Sequence, residues 1–249
     1  MKKWLSAVVL FVLLLSACGT VSPAAEEDPA DLSSPEPEAA EALPTASPSP
    51  LVIRDAFSSS GCYSDSLGNS WNYLLRIPMI DAGGEDAARL NRELIAALEP
   101  AVKDVQTSMD CGSSLVVTWV DYTVYRNGDL ISILCQTDTD WGFESYYAVN
   151  FDASICSEVK RTQLLQRFGM TEESFINKAQ ELMEGYFLEQ YEVFAGNEIY
   201  QDRHDRSVDA RNFKEDCCLF VNEQGQLCMI PRLYSFAGGD YYYHIFTFG

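Results

Sequence analysis

The sequence predicts an α+β fold in which antiparallel sheets carry two main helices packed on one side. Two segments place short strand patterns on either side of a glycine, and two others repeat apolar residues at helical spacing. Aromatic residues are frequent from residue 51 onwards and absent from residues 19–50. The folded part is therefore predicted at residues 51–249, a length that suits one domain or two small interlocked ones.

The first predicted elements are a strand at residues 70–80 and a long helix that follows Gly83-Gly84. Pro100 is expected to kink this helix or end it early, because proline has no N–H and its ring clashes with the preceding turn. The apolar face of the helix consists of Ala87, Leu90, Leu94, Leu98, Val102 and Val105.

The clearest hairpin lies within residues 116–135, where VVTWVDYTVY and LISILC flank Asn127-Gly128. An Asn-Gly pair favours a type I′ turn because both residues tolerate positive φ. The register that follows pairs Val124 with Ile131, which places β-branched residues opposite each other on one face.

The remaining chain continues this sheet with a strand at residues 143–152. Thr171 is then expected to cap a longer helix. Residues 196–216 are polar and predicted to be irregular, residues 219–230 indicate a second hairpin, and residues 240–248 indicate a final strand. The apolar stripe predicted for the longer helix is Phe175, Ala179, Leu182, Met183, Tyr186 and Phe187.

The N-terminal segment resembles the signal peptide and lipobox of a bacterial lipoprotein. Lys2 and Lys3 precede an apolar run at residues 4–15, which is shorter than the roughly 20 residues that a spanning helix needs. Small residues then lead into Cys18. The resemblance implies that residues 1–17 are removed and that acyl chains such as palmitate on Cys18 anchor the protein to the extracytoplasmic face of the cell membrane. The alternative is an ordinary secretory peptide in which Cys18 is incidental.

Residues 18–50 are predicted to be the lipidated cysteine and a disordered tether, because Pro, Ser, Ala and Glu dominate and no Lys or Arg occurs. Residues 51–249 hold 30 Asp and Glu against 15 Lys and Arg, a net charge of −15 within the −20 of the chain. This excess of negative charge argues against nucleic-acid binding, which needs clustered cations, and it permits a basic partner.

Seven cysteines remain after Cys18, so at least one thiol is free or paired between chains. The Cys-x-x-Cys spacing that is typical of zinc sites does not occur in the sequence, and no cofactor is predicted. Their pairing stays open for Cys62, Cys111, Cys135, Cys156, Cys217, Cys218 and Cys228.

Catalytic chemistry finds little support in the sequence, so no enzymatic activity is expected. The two histidines are His204 and His244, and only His204 lies among acidic residues, namely Asp202, Asp205 and Asp209. These groups suit a metal or acid–base catalysis, although a solvated charged loop is the favoured interpretation.

A loop between two predicted strands is the candidate ligand contact. Asp138, Asp140 and Trp141 lie there, and Trp141 is the aromatic residue expected to be most exposed. The spacing of the aspartates faintly echoes a calcium loop, but the downstream ligands of that motif are missing.

Several stretches resemble the RsiV/PdaC-type extracytoplasmic domain family. The strand–Pro–helix–Asn opening of the family is similar to YLLRIPMIDAGGEDAARLN, and its hairpin is similar to VDYTVYRNGDLISI. The family also has a strand that ends in Asn-Phe-Asp before a turn and a short helix, and Asn150-Phe151-Asp152 match this strand end. FVNEQGQLCMIPRLYSFAGG is similar to the C-terminal module often paired with it. The resemblance implies a PdaC-like N-terminal module at residues 51–160 and an RsiV-like C-terminal module at residues 161–249.

The family implies a binding or sensing domain of otherwise unknown function that recognises an envelope glycan or a secreted protein such as lysozyme. Where the family often has Gly-Gly-Ala-His before the Asn-Phe-Asp strand, this chain has DWGFE at residues 140–144, so a function of that loop does not carry over. The two alternatives are a structural or assembly lipoprotein without a ligand, and a hydrolase that uses the His204 segment.

Overall fold

The structure, a computed structural model, describes residues 51–139, 144–214, 217–236 and 240–248. The first part of the chain forms a six-stranded sheet. Its strands follow the same order in space and in sequence: β1 (Val52–Ser64), β2 (Ser70–Asp81), β3 (Val117–Asn127), β4 (Leu130–Thr139), β5 (Glu144–Asp152) and β6 (Ser157–Glu158). Neighbouring strands are antiparallel except β2 and β3, which are parallel and connected through helix α1 (Glu85–Asp110).

The second part of the chain contributes shorter elements. Its helices are α2 (Arg161–Arg167), α3 (Glu172–Tyr191) and α4 (Tyr200–Val208), with 3₁₀ turns at Glu192–Phe194 and Ala210–Phe213. One small sheet contains β7 (Cys218–Val221), β8 (Leu227–Ile230) and β11 (Phe246–Thr247), and another contains β9 (Arg232–Tyr234) and β10 (Tyr241–Tyr243). The predicted α+β class is confirmed.

The first six residues of β4, 130–135, are buried on both faces, which explains their almost continuous apolar sequence. Because successive side chains of a strand point to opposite faces, Ile131 and Ile133 belong to the core that contains α1, while Ser132 and Leu134 face the second part of the chain. The six-stranded sheet is therefore the middle layer between α1 and the small sheets.

Two larger hydrophobic cores and a small cluster between them hold the described residues in one compact unit. The first core joins α1 to the six-stranded sheet, and the second joins α2 and α3 to β7, β8 and β11. The small cluster consists of Leu134, Phe220, Cys228 and Ile230. The module boundary between residues 160 and 161 stays a prediction.

Helix α1 continues past Pro100 to Asp110, so the prediction of an early end is wrong. Pro100 and Ala96 are both exposed. The carbonyl of Ala96, which would accept the N–H that proline lacks, therefore faces the solvent side of the helix. The six apolar residues predicted for the buried face of α1 are all buried.

Helix α3 begins as predicted, with Thr171 as its N-cap. The N–H of Ser174 donates to Thr171 Oγ1 at 3.1 Å, and the N–H of Thr171 donates to Ser174 Oγ at 2.9 Å. Leu182 is 38% exposed and does not belong to the buried stripe. No helix in the described ranges is long and apolar enough to span a membrane.

The first hairpin forms with a register different from the predicted one. Val124 pairs with Ile133 rather than Ile131, and the two turn residues are Gly128 and Asp129. Gly128 has φ of 59° while Asp129 has no positive φ, which is the pattern of a type II′ turn with glycine first. A shift of two residues keeps every side chain on its predicted face.

Three further segments differ from prediction. Residues 196–216 contain α4 instead of being irregular throughout, and the segment 240–248 forms two short strands that pair with different partners instead of one strand. Strand β1, which the sequence analysis did not predict, forms one edge of the large sheet.

Candidate ligand-binding cleft

A cleft of about 510 Å³ lies where the six-stranded sheet meets the second part of the chain. This volume falls within the roughly 300–1,000 Å³ of small-molecule sites, which often form between packed modules. We call it the Tyr243 cleft. Its lining is Leu90, Glu93, Tyr146, Tyr147, Ala148, Val149, Asn150, Glu158, Val159, Arg161, Cys217, Cys218, Leu219, Arg232 and Tyr243.

Two tyrosines from opposite sides of the cleft contact each other. The rings of Tyr146, on β5, and Tyr243, on β10, meet edge to face with centroids 5.5 Å apart. The hydroxyl of Tyr146 donates to Glu144 at 2.6 Å, and burial together with this hydrogen bond raises the pKa of Tyr146. Both aromatic rings remain partly exposed to the cleft.

Charges of opposite sign line the Tyr243 cleft. Glu93 and Glu158 are held by one guanidinium, that of Arg89, at 2.8 Å and 2.6 Å. Arg161 and Arg232 also line the cleft. Such a lining offers both donors and acceptors of hydrogen bonds to a polar ligand.

The cleft thiols are not activated nucleophiles. Burial raises the pKa of Cys218 to about 11 and also raises the pKa of Cys217. Both thiols are therefore protonated at neutral pH, and a thiol rather than a thiolate is a weak nucleophile. The seven cysteines of the described ranges are all free, with Cys62, Cys111 and Cys156 exposed.

A second hollow of about 290 Å³ adjoins the Tyr243 cleft at Arg232, which lines both. We call it the arginine hollow. Its lining is Arg206, Asp209, Arg211, Asn212, Arg232 and Tyr234. No sequence motif predicted this group, because its members come from α4, the 3₁₀ turn that follows it and β9, none of which was predicted.

The residues predicted for ligand contact lie partly outside the described ranges. Asp140, Trp141 and the lipid-attachment residue Cys18 all fall there. Asp138 lies on β4, where its Oδ1 atom is buried and has no hydrogen-bond partner among the described residues. It neighbours the cleft through Tyr146, whose pKa it helps to raise.

The segment around His204 is a helix rather than a charged loop. His204 Nε2 lies 2.7 Å from Glu184 on α3, and Nδ1 lies 3.1 Å from Asp205. The other two predicted carboxylates are paired elsewhere, Asp202 with Arg206 and Asp209 with Arg211. Within the described ranges no group of three His, Cys, Asp or Glu side chains forms a metal site.

The family-like residues Asn150-Phe151-Asp152 at the end of β5 have structural roles in this chain. Asn150 accepts a hydrogen bond from Ser132 at 2.6 Å and donates one to the carbonyl of Leu219 at 2.9 Å. Asp152 accepts from the backbone and hydroxyl of Ser154 and pairs with Arg167. Phe151 is fully buried.

No family model and no curated protein matches the chain. Among solved structures, the chain is similar to the crystal structure of a member of the DUF3298 family from Bacteroides fragilis. The match covers 72% of this chain and 83% of that chain, at 10% sequence identity and a TM-score of 0.35. The likeness is a distant one to a domain of unknown function, and the RsiV/PdaC resemblance stays a prediction.

Proposed function

We propose that the chain is a membrane-anchored, extracytoplasmic binding protein whose ligand is a glycan of the cell envelope, held in the Tyr243 cleft. The observation that carries the proposal is the pair of partly exposed tyrosines, Tyr146 and Tyr243, in a cleft of about 510 Å³. Tyrosine rings pack against the apolar faces of sugar rings, and their hydroxyls also form hydrogen bonds.

The polar lining of the cleft supports a sugar rather than an apolar ligand. A sugar carries many hydroxyls, and each one that leaves water needs a partner in the protein. Glu93, Glu158 and Arg232 supply acceptors and donors around the two rings. Protonated thiols and ion-paired carboxylates in the same cleft support binding rather than catalysis.

Lipid anchoring at Cys18 is the part of the proposal that rests on residues 1–50. The apolar run, the small residues before Cys18 and the charged, proline-rich tether support it. Cys18→Ala is expected to move the protein from the membrane fraction to the soluble fraction and to abolish incorporation of labelled palmitate. Unchanged membrane retention would overturn the anchor.

Calorimetry on residues 19–249 tests the binding proposal, with chitotetraose and soluble peptidoglycan fragments as probes. Tyr243→Ala is expected to weaken binding at least about tenfold, a loss of about 1.4 kcal/mol. Tyr242→Ala is the matched control, because Tyr242 lies on the same strand, does not line the cleft and bonds Tyr191 instead. Equal effects of the two substitutions, or no heat with either probe, would reject the cleft as a glycan site.

A basic protein such as lysozyme is the second candidate ligand, and the net charge of −15 on residues 51–249 favours it. Attraction between exposed charges is screened over about 10 Å at 0.1 M salt. Saturable lysozyme binding that persists at 0.3 M salt, and that Tyr243→Ala leaves unchanged, would replace the glycan with this partner.

A further inference from the structure

We propose that the arginine hollow binds an oxyanion, a carboxylate or phosphate group, and thereby recognises an acidic substituent of the ligand in the adjoining cleft. Three guanidinium groups, of Arg206, Arg211 and Arg232, line a hollow of about 290 Å³. The recognition of a glycan substituent rests on the proposed function, whereas binding of the oxyanion itself does not.

Arg232 lies where the two cavities join. It lines both the Tyr243 cleft and the arginine hollow, and it also lines a small cavity with Arg211 and Tyr243. Its guanidinium carbon lies 5.2 Å from the centre of the Tyr241 ring. The guanidinium of Arg232 bonds the hydroxyl of Tyr243, and no carboxylate among the described residues pairs with it, so its remaining N–H groups can donate to an anionic group of the ligand.

The other two arginines are held in place by aspartates. Arg206 bonds both carboxylate oxygens of Asp240, at 3.0 Å and 2.7 Å, and lies 3.9 Å from the centre of the Tyr234 ring. Arg211 is bonded through Nε and Nη2 to Asp209. These pairs fix the guanidinium groups before a ligand arrives, which reduces the entropy lost on binding.

Arg211 keeps donors for a ligand. A guanidinium has five N–H groups, and Arg211 bonds Asp209 through Nε and Nη2, which leaves Nη1 without a partner among the described residues. The side chain of Arg211 is 85% exposed, so this group is accessible.

Local charge in the hollow opposes that of the whole chain. Three arginines and one aspartate, Asp209, line it, and Asp240 pairs with Arg206, so positive charge still predominates there, while residues 51–249 carry twice as many acidic as basic side chains. Because a net charge of −20 repels anions at long range, an oxyanion would bind only where several guanidinium groups converge.

The test uses residues 19–249 with galacturonate, galactose and inorganic phosphate as probes. Side-chain Nε–Hε resonances of the arginines are followed by NMR at 50 mM salt. We expect galacturonate or phosphate, but not galactose, to shift the Arg211 and Arg232 resonances saturably, and Arg232→Gln to weaken this binding at least tenfold. Arg126→Gln, an exposed arginine on β3 outside the hollow, should leave the affinity unchanged.

The outcomes separate the two proposals. Tighter binding of galacturonate than of phosphate would identify a carboxylate as the recognised group, and the reverse order a phosphate. If neither anion shifts these resonances while chitotetraose still binds through Tyr243, the anion site is refuted and the glycan cleft stands. Equal weakening by Arg232→Gln and Arg126→Gln would also refute it, because the effect would be one of net charge. Anion binding without glycan binding would support the hollow alone.

Discussion

Arg161 joins three elements of the second part of the chain, α2, α3 and the 3₁₀ turn at Ala210–Phe213, and also contacts Cys217 just before β7. At the start of α2, it pairs with Glu172 on α3 at 2.9 Å and donates to the carbonyls of Phe213 and Cys217. Its guanidinium carbon lies 4.9 Å from the centre of the Phe175 ring. A planar guanidinium can make these contacts together, whereas a lysine ammonium cannot.

Arg161→Lys is therefore expected to lower the free energy of unfolding by about 2 kcal/mol, since buried carbonyls lose a charged donor. Urea denaturation of residues 19–249 measures the change. Arg211→Lys is the control and should change stability by less than about 0.5 kcal/mol, because the side chain is 85% exposed. Similar losses in both variants would show that Arg161 has no special role.

The sequence predicted residues whose role is local and missed those whose partners are distant. Thr171 was predicted as a cap from its residue type, and the partner that the structure gives it, Ser174, is only three residues away. Arg161 carried no such signal, because Phe213 and Cys217 lie more than fifty residues further on. The arginine hollow was missed for the same reason.

At the scale of elements, α4 shows how tertiary contacts can fix a helix that composition does not predict. Its sequence is polar, and Ser207 is its single buried residue. Side-chain contacts from three other elements hold it, among them His204 with Glu184, Gln180 with the carbonyl of Val208, and Ser207 with the N–H of Tyr234.

A distant contact also explains the register of the first hairpin. Asn127 donates from its side chain to the carbonyl of Asn222 in the second hairpin, at 2.8 Å. This places Asn127 at the end of β3, and Gly128 then takes the first turn position. The sequence supplied the hairpin, whereas the contact between two turns selected the register.

The contact of His204 with α3 makes the α3–α4 packing pH-dependent. Burial lowers the pKa of His204, but the hydrogen bonds to Asp205 and Glu184 together outweigh burial, so the pKa is raised above its ordinary value of 6.5. The stabilisation is thus complete below the unfolded-state pKa and is lost as the pH rises through the folded-state pKa. His204→Gln should lower the free energy of unfolding by about 0.5–1 kcal/mol more at pH 5.5 than at pH 9.

The other histidine provides the control for this prediction. Burial lowers the pKa of His244, so its neutral form is favoured and its contribution is lost as the pH falls. In urea denaturation at both pH values, His244→Gln should therefore show the opposite trend. The same pH trend in both variants would contradict the role of the Glu184 contact.

At the scale of the whole molecule, a buried relay connects the two larger cores. Ser132 on β4 accepts from the N–H of Val221 at 2.9 Å, and Asn150 on β5 donates to the carbonyl of Leu219 at 2.9 Å. Ser132 also donates to Asn150 at 2.6 Å. Two side chains of the large sheet thus satisfy backbone groups of β7, which would otherwise be buried without partners.

The class of the whole fold could be predicted from periodicity, but this relay could not. Both residues lie in strands whose alternation was recognised, and Asn150 was noted as part of a family-like strand end. The sequence does not show which layer covers β5, so it does not show what the side chain of Asn150 will face. The position of β7 in the folded protein decides which backbone groups this side chain bonds.

Loss of the relay should uncouple the two cores. Asn150→Ala removes the donor to Leu219 and the acceptor of Ser132, and it is expected to lower stability by about 2–3 kcal/mol. The tryptophans of residues 51–249, Trp71, Trp119 and Trp141, all precede residue 160. Tryptophan fluorescence therefore follows the first part, whereas far-ultraviolet circular dichroism follows the whole chain.

In urea, the two signals should coincide for the unmodified chain and separate for Asn150→Ala. Asn91→Ala is the matched control, because Asn91 also bridges backbone groups, the N–H and carbonyl of Ile80, at 2.8 Å and 3.0 Å, but within the first core. Its transition should move to lower urea with both signals still coincident. Coincident signals in Asn150→Ala as well would mean that the apolar cluster around Leu134 is sufficient to keep the two cores cooperative.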